Sequence, residues 1–436
     1  MENIIKAMKT FDLVSVIDNP DVKIIDVRPV EAYNGWTLHN EYRGGHIKGA
    51  KSLPAKWLQY IDWIEVVHHK KLKPEHTIII YAYTEQEAIA VAQRFVRSGF
   101  NSISVYNHFV DEWSVNSNYP MQELQRYRQL VSADWLNKLI SGENPPQYDN
   151  TKYVLVHAHY RNRDAYLSGH IPGAIDMDTL AIEAPETWNR RSVEELKSTL
   201  EQHGITSDTT VLLYGKFMFP DNADEFPGSA AGDIGAIRCA FVMMYAGVKD
   251  VRILNGGFRS WTDEGFSVSN TDEPKIAVSE FGAIIPVHPE YAVDTPEAKD
   301  IIASKLAELV CVRSWPEYIG EVSGYNYIEK KGRIPGAVFA DCGSDAYHME
   351  NYRNIDHTTR EYHEIAQNWI KNGITPDKHL AFYCGTGWRG SEAWFNAWLM
   401  GWPNVSVYDG GWFEWSNDPE NAYEIGIPER MESFIE

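Results

Sequence analysis

Basic residues are in short supply in this chain. Forty lysines and arginines face 61 aspartates and glutamates over 436 residues, a formal net charge of −21. That balance argues against nucleic acid and anionic membrane surfaces as partners. Cysteine is scarcer still. Only Cys239, Cys311, Cys342 and Cys384 occur, with no C-x-x-C or metal-type spacing. Neither a disulfide framework nor a zinc site is expected, and nothing asks for a metal or another cofactor. No apolar run approaches the roughly 18 residues that suggest a membrane span. The first residues, MENIIKAMKTFDLV, carry an early acid and no apolar core of signal-peptide length. The expected setting is the cytoplasm or, had a leader been removed, the periplasm.

What is present is long and repetitive. The chain exceeds one ordinary core and predicts about three domains. Three copies of one pattern run along it. Each opens on a β-rich run: VKIIDVRP (22–29), YVLVHAHYR (153–161) and ELVCVRSWPEY (308–318). A glycine-bounded turn follows: GHIKGA (45–50), GHIPGA (169–174) and GRIPGA (332–337). Next comes an apolar strand ending in Tyr81, Tyr214 or Tyr383, then a helix, then a strand with an aromatic corner closing on Trp113, Trp261 or Trp415. Those tryptophans are 148 and 154 residues apart, which is domain spacing rather than solenoid spacing. Alternating strands and helices predict an α/β fold with a parallel sheet covered by helices on both faces of each repeat. The expected domains are 1–125, 126–270 and 285–436. Residues 127–139 read as the opening helix of the second, 265–295 as a linker with some strand, and 220–232 as an expanded loop.

The third repeat carries the chemistry. Residues 380–383 read as a buried strand that Cys384 ends. Gly385, Thr386 and Gly387 read as a tight loop, and a helix is predicted from Gly390 to its stop at Gly401. A cysteine between a strand end and a helix start lies among loop amides and the helix's partial positive charge, and Arg389 adds a whole one. Such surroundings favour the thiolate, the nucleophilic form. They would also hold an anionic substrate or a persulfide. At the position of Cys384 the other repeats have Gly215 and Ala82. They keep the scaffold and lack the nucleophile, so covering the third repeat's site, shaping its entrance or binding a partner is left to them.

These marks (D-V-R, GHIxGA, strand-C-x-x-G, and a closing GG-aromatic-x-x-W) resemble the rhodanese, or sulfurtransferase, family over nearly the whole chain. Three tandem units with one cysteine loop are similar to bacterial three-domain thiosulfate sulfurtransferases. The resemblance implies three rhodanese-like domains, only the last catalytic. It implies a small anionic donor such as thiosulfate, a Cys384 persulfide, and a cyanide, thiol or protein acceptor. Gly385, Thr386, Gly387, Trp388 and Arg389 become the substrate-binding loop, Trp388 the residue that shapes access, and the chain a monomer. The aspartate position of the D-x-R pattern holds Cys311, ahead of Arg313. The family's second arginine corresponds to Glu317 and its loop lysine to Thr386. C-G-T-G also resembles the loop start of mercaptopyruvate sulfurtransferases, which makes mercaptopyruvate the alternative donor.

Two other readings compete. Cysteine phosphatases place five residues between cysteine and arginine; here there are four, a cradle better suited to one sulfur than to a phosphate. A sulfur-relay or protein-binding module with incidental turnover is the non-catalytic alternative. Among the remaining candidates, Cys239 and Cys311 read as packed core residues. Cys342 reads as a loop cysteine with a lesser claim to being a resolving thiol. His46, His170 and Arg333 read as structural members of the glycine turn, and Arg313 as a structural ion-pair former. Asp345 and His348 are placed in a polar loop, and Asp409 at the border of the pocket.

Overall fold

Apolar runs bounded by glycine turns become the strands of three five-stranded parallel sheets in the computed structural model, which describes residues 5–218, 228 and 231–429. In spatial order the first sheet is Ile5–Ala7, Ile103–Tyr106, Thr77–Tyr81, Val22–Asp26 and Lys51–Ser52. The second is Ile175–Asp178, Tyr153–His159, Thr210–Gly215, Asp250–Leu254 and Leu130–Val131. The third is Ala292–Val293, Val405–Tyr408, His379–Tyr383, Ala307–Cys311 and Val338–Phe339. Helices flank each sheet, so the central strands Thr77–Tyr81, Thr210–Gly215 and His379–Tyr383 are buried along nearly their whole length rather than alternating. The central strand of every sheet carries the tyrosine that the three repeats share at or next to its end. Loops at its carboxyl end are where such sheets carry their sites.

The repeat holds down to the register. Tyr81 stands beside Asp26, Tyr214 beside His157, and Tyr383 beside Cys311. The arginine two residues on ties the strand to the turn. Arg28 and Arg313 each donate to the first glycine carbonyl of that turn, Gly45 or Gly332, at 2.6 Å. In the first repeat Asp26 pairs with that arginine at 2.6 Å. In the third, Arg313 has the Cys311 Sγ at 3.2 Å and forms no ion pair among the described residues. His46 and His170 stack on Tyr33 and Tyr166 and bond to their carbonyls, and Arg333 lies over Tyr318.

Contacts divide the chain into two compact units, Met1–Arg128 and Gln129–Glu436. The second and third repeats therefore form one body. Their common interface explains helix Gly232–Ala246, which is buried on every side. A helix apolar all round needs cover all round. Its own sheet supplies one side and helix Trp388–Leu399 another, with Phe241 and Trp394 edge to face at 5.0 Å. Arg353 seals the seam, reaching Asp233 at 3.2 Å and Glu392 at 2.6 Å.

Two boundaries differ from the sequence reading. Residues 127–139 are not one helix. Leu130–Val131 form an edge strand, and Ser132, whose hydroxyl accepts from the Trp135 amide at 3.1 Å, starts helix Ala133–Ile140. The helix after Cys384 begins at Trp388, two residues early, because Gly387 with φ +92° is its cap. Of the expanded loop 220–232, only Gly228, Ala231 and Gly232 lie among the described residues. No helix of the described residues is long and apolar enough to cross a membrane.

Candidate active site

Cys384 sits where strand His379–Tyr383 ends, and the closing glycine motif fixes the loop after it. Trp412 N donates to the Cys384 carbonyl at 2.8 Å, and Phe413 N to the Gly385 carbonyl at 3.0 Å. Gly411, at φ +56°, has no room for a Cβ beneath those carbonyls. A trans peptide sends its N–H opposite to its C=O. Tying both carbonyls to one side therefore turns the amides of Gly385 and Thr386 to the other. The helix starting at Trp388 adds first-turn amides with no intrahelical acceptor.

The Cys384 residue is 1% exposed, yet it opens on a cavity of about 310 Å³ rather than on packed core. The walls are aromatic. Tyr160 and Trp188 come from the second repeat, and Tyr325, Tyr327, Tyr347 and Trp388 from the third. Trp188 stacks on Tyr327 at 4.5 Å, and Tyr160 meets Trp388 edge-on at 5.5 Å. Among the described residues of the wall there is no carboxylate; Arg161 and Arg389 are the cations.

Of the sequence-predicted residues, Cys384, Thr386, Trp388 and Arg389 line the cavity together. Gly385 and Gly387 shape the loop behind them; at Gly385 a Cβ would run into the Tyr325 ring. Arg389 is not the isolated charge that the motif suggests. It is buried and paired fork to fork with Glu317, at 2.8 and 2.9 Å. It also donates to the Asp345 carbonyl at 3.0 Å, to Cys342 Sγ at 3.3 Å and to the Tyr325 hydroxyl. Burial works against ionising Glu317, but Arg389 holds its carboxyl below the usual range. The pair is close to neutral as seen from Cys384. Burial pushes the Cys342 thiol up, so it stays protonated against Arg389. Asp409 lies outside the wall, committed to Arg238 at 2.6 Å and Arg190 at 3.0 Å.

Tyr325 is the candidate-site residue that sequence reasoning missed. Its hydroxyl accepts from Gly385 N at 3.1 Å and from Arg389 Nη2. A phenol oxygen has two acceptor positions and one proton. Both acceptor positions are filled, which leaves the proton as the one group this hydroxyl can offer to the cavity that Tyr325 and Cys384 both line. Burial pushes this phenol well above its usual value, so it is a neutral donor. Tyr325 is 59 residues ahead of the nucleophile, in the G-Y-N-Y stretch, where only the clustering of two tyrosines at a glycine offered a signal.

A cysteine at a strand end, beside loop amides and a buried tyrosine hydroxyl in an aromatic cavity, is the arrangement that thiol-based group transfer calls for, here on a repeated α/β fold. The Rhodanese-like domain pattern matches 12–116, 132–264 and 294–418, and the chain belongs to this family of sulfurtransferases. Among its relatives, "Thiosulfate sulfurtransferase YnjE" of Escherichia coli K12 is 38% identical, over 93% of this chain and 89% of that protein. "Sulfur carrier protein TtuD" of Thermus thermophilus is 30% identical, over 66% of this chain and 93% of its own length. The solved structure of EanB superimposes with a TM-score of 0.96 at 67% identity, covering 97% of this chain and 98% of EanB. EanB variants have been solved with hercynine, and with ergothioneine covalently linked to a cysteine persulfide.

Proposed function

We propose that this chain carries sulfur from a Cys384 persulfide to C2 of the imidazole ring of hercynine, giving ergothioneine. The aromatic box over Cys384 carries the reading. Tyrosine and tryptophan faces are what a quaternary ammonium binds, and hercynine is the trimethylammonium betaine of histidine. Arg161 in the wall suits its carboxylate. The EanB complexes support the same acceptor. The three cysteines, the tyrosine and the threonine altered in those EanB structures, or carrying their persulfide, are separated by the same intervals as Cys311, Cys342, Cys384, Tyr325 and Thr386 here.

The outer sulfur of the persulfide anion attacks C2 and forms the C–S bond. The displaced ring electrons settle on a ring nitrogen, which takes the Tyr325 proton. As C2 gives up its hydrogen, the phenolate recovers a proton, the C=S bond forms, and the S–S bond breaks. Its electron pair leaves on the Cys384 sulfur, ready for another cycle.

Transfer from thiosulfate to cyanide, or from mercaptopyruvate, is the second reading, favoured by the name of the Escherichia coli relative. Glu317 and Thr386 weigh against it, because a dianion meets a neutralised Arg389 and no loop lysine. A donor whose charge is spread along a soft sulfur chain, such as a polysulfide, or one held on a protein persulfide, suits the aromatic cavity better. The test loads the protein with polysulfide, thiosulfate or mercaptopyruvate in turn, then offers hercynine and cyanide in competition. Ergothioneine as the main product, with polysulfide the fastest loader, is expected. Thiocyanate as the main product would overturn the acceptor.

A further inference from the structure

The second repeat lacks a nucleophile, yet one of its carboxylates reaches into the cysteine loop of the third. Glu183 is fully buried, and both its oxygens accept the Trp388 indole N–H, at 2.9 and 3.0 Å. Arg238 holds Glu183 from behind at 2.6 Å. The same guanidinium donates to the Trp188 carbonyl at 3.0 Å and pairs with Asp409 at 2.6 Å. One buried arginine thus fixes both indoles of the cavity wall, Trp188 through its backbone and Trp388 through Glu183. The far edge of the Trp388 ring rests on Gly235, where an added Cβ would lie 3.3 Å from two ring carbons. Burial pushes the Glu183 carboxyl up to about 7, against the pull of Arg238 and the indole and with Asp409 adding to the rise. A buried acid at that cost needs a purpose, and the Trp388 indole is the group it holds toward the cavity.

We propose that Glu183 is a positioning residue for the acceptor: it fixes the Trp388 indole as the wall against which the acceptor ring rests in front of Cys384. The inference rests on reading the cavity as an acceptor pocket. Glu183 touches no reacting atom, so its effect is expected in acceptor binding and not in persulfide formation.

The experiment measures hercynine turnover by the full chain and by Glu183→Gln, with persulfide loading followed by intact mass. Glutamine puts an NH2 where one carboxylate oxygen was, so either the indole N–H or Arg238 Nε meets a donor. Loss of about one hydrogen bond's worth of ring fixation raises KM for hercynine about tenfold, with kcat changed less than threefold. Trp388→Phe, which removes the N–H and keeps a ring, should raise KM similarly. The double variant should be no worse than either single one, because both act through one contact. An unchanged KM in Glu183→Gln, or effects that add, would overturn the proposal. Should Glu183→Gln fail to fold, Gly235→Ala decides: it shifts the ring by a few tenths of an ångström and leaves every charge in place. A KM rise supports the proposal and an unchanged KM defeats it. No turnover of hercynine by the native chain would instead take down the acceptor reading.

Discussion

Replacing Tyr325 by phenylalanine removes one oxygen and separates two consequences that the geometry assigns to it. The first is structural. The Gly385 amide and one Arg389 N–H lose their acceptor. A buried donor left unpaired costs about 1–3 kcal/mol. Arg389 keeps Glu317 and the Asp345 carbonyl, so the stability loss should stay near 2 kcal/mol, about the middle of that range. The second is chemical. Losing one preorganised donor at a site of developing charge costs about 10²- to 10³-fold in rate, or roughly 3–4 kcal/mol. The assay is a single turnover: protein loaded with persulfide in advance is mixed with hercynine, and ergothioneine is quantified by mass. A thermal melt of the same sample gives the first effect. Loading itself should proceed, since Cys384 is untouched. Transfer within threefold of the native rate, alongside a lower melting point, would make Tyr325 a structural residue and refute the donor assignment.

Cys384→Ser should abolish transfer and leave the melting point within about 2 °C, since a hydroxyl replaces a thiol in a lined cavity; mass gain on any other cysteine after donor treatment would displace the nucleophile. Cys311→Asp should stabilise the chain by about 2 kcal/mol, because Arg313 gains the carboxylate that Arg28 has in the first repeat and charged hydrogen bonds contribute about 1.5–3 kcal/mol; a lower melting point would refute this. His157 is buried among Tyr166, Tyr214 and Phe258, neither ring nitrogen has a hydrogen-bond partner among the described residues, and burial, then Lys216, His159 and His170, depress its basicity against Asp176. Below the unfolded value of about 6.5 the unfolded chain takes up a proton that the native one refuses, so stability falls with falling pH by up to about 1.4 kcal/mol per unit. His157→Phe should flatten that slope in a pH series of melts.

The repeats were legible because each is written in local patterns: a β-rich run, a glycine turn, a tyrosine-bearing strand, a helix. Cys384 was legible for the same reason, since strand, loop glycines and helix are contiguous around it. Three things were not. The charge on Arg389 is cancelled by Glu317, 72 residues earlier, a pairing set by the fold rather than by spacing. The cavity wall takes Tyr160 and Trp188 from a neighbouring repeat, and no local periodicity announces contacts between Tyr160 and Trp388, which are more than 200 positions apart. The start of helix Trp388–Leu399 is hidden because Gly387 has the look of a loop residue, whereas its left-handed backbone is what lets the helix begin at the next position.

The wall around Cys384 is drawn from two repeats, while the reactive loop belongs to one. Part of the wall that a guest would meet is therefore encoded on a stretch of polypeptide separate from the cysteine loop. On the proposed reading, substitutions at Tyr160, Arg161 or Trp188 change the room offered to a guest and leave the residues of the Cys384 loop as they are. By the same logic, the third repeat cut out alone would retain its warhead and lose half of the room in front of it.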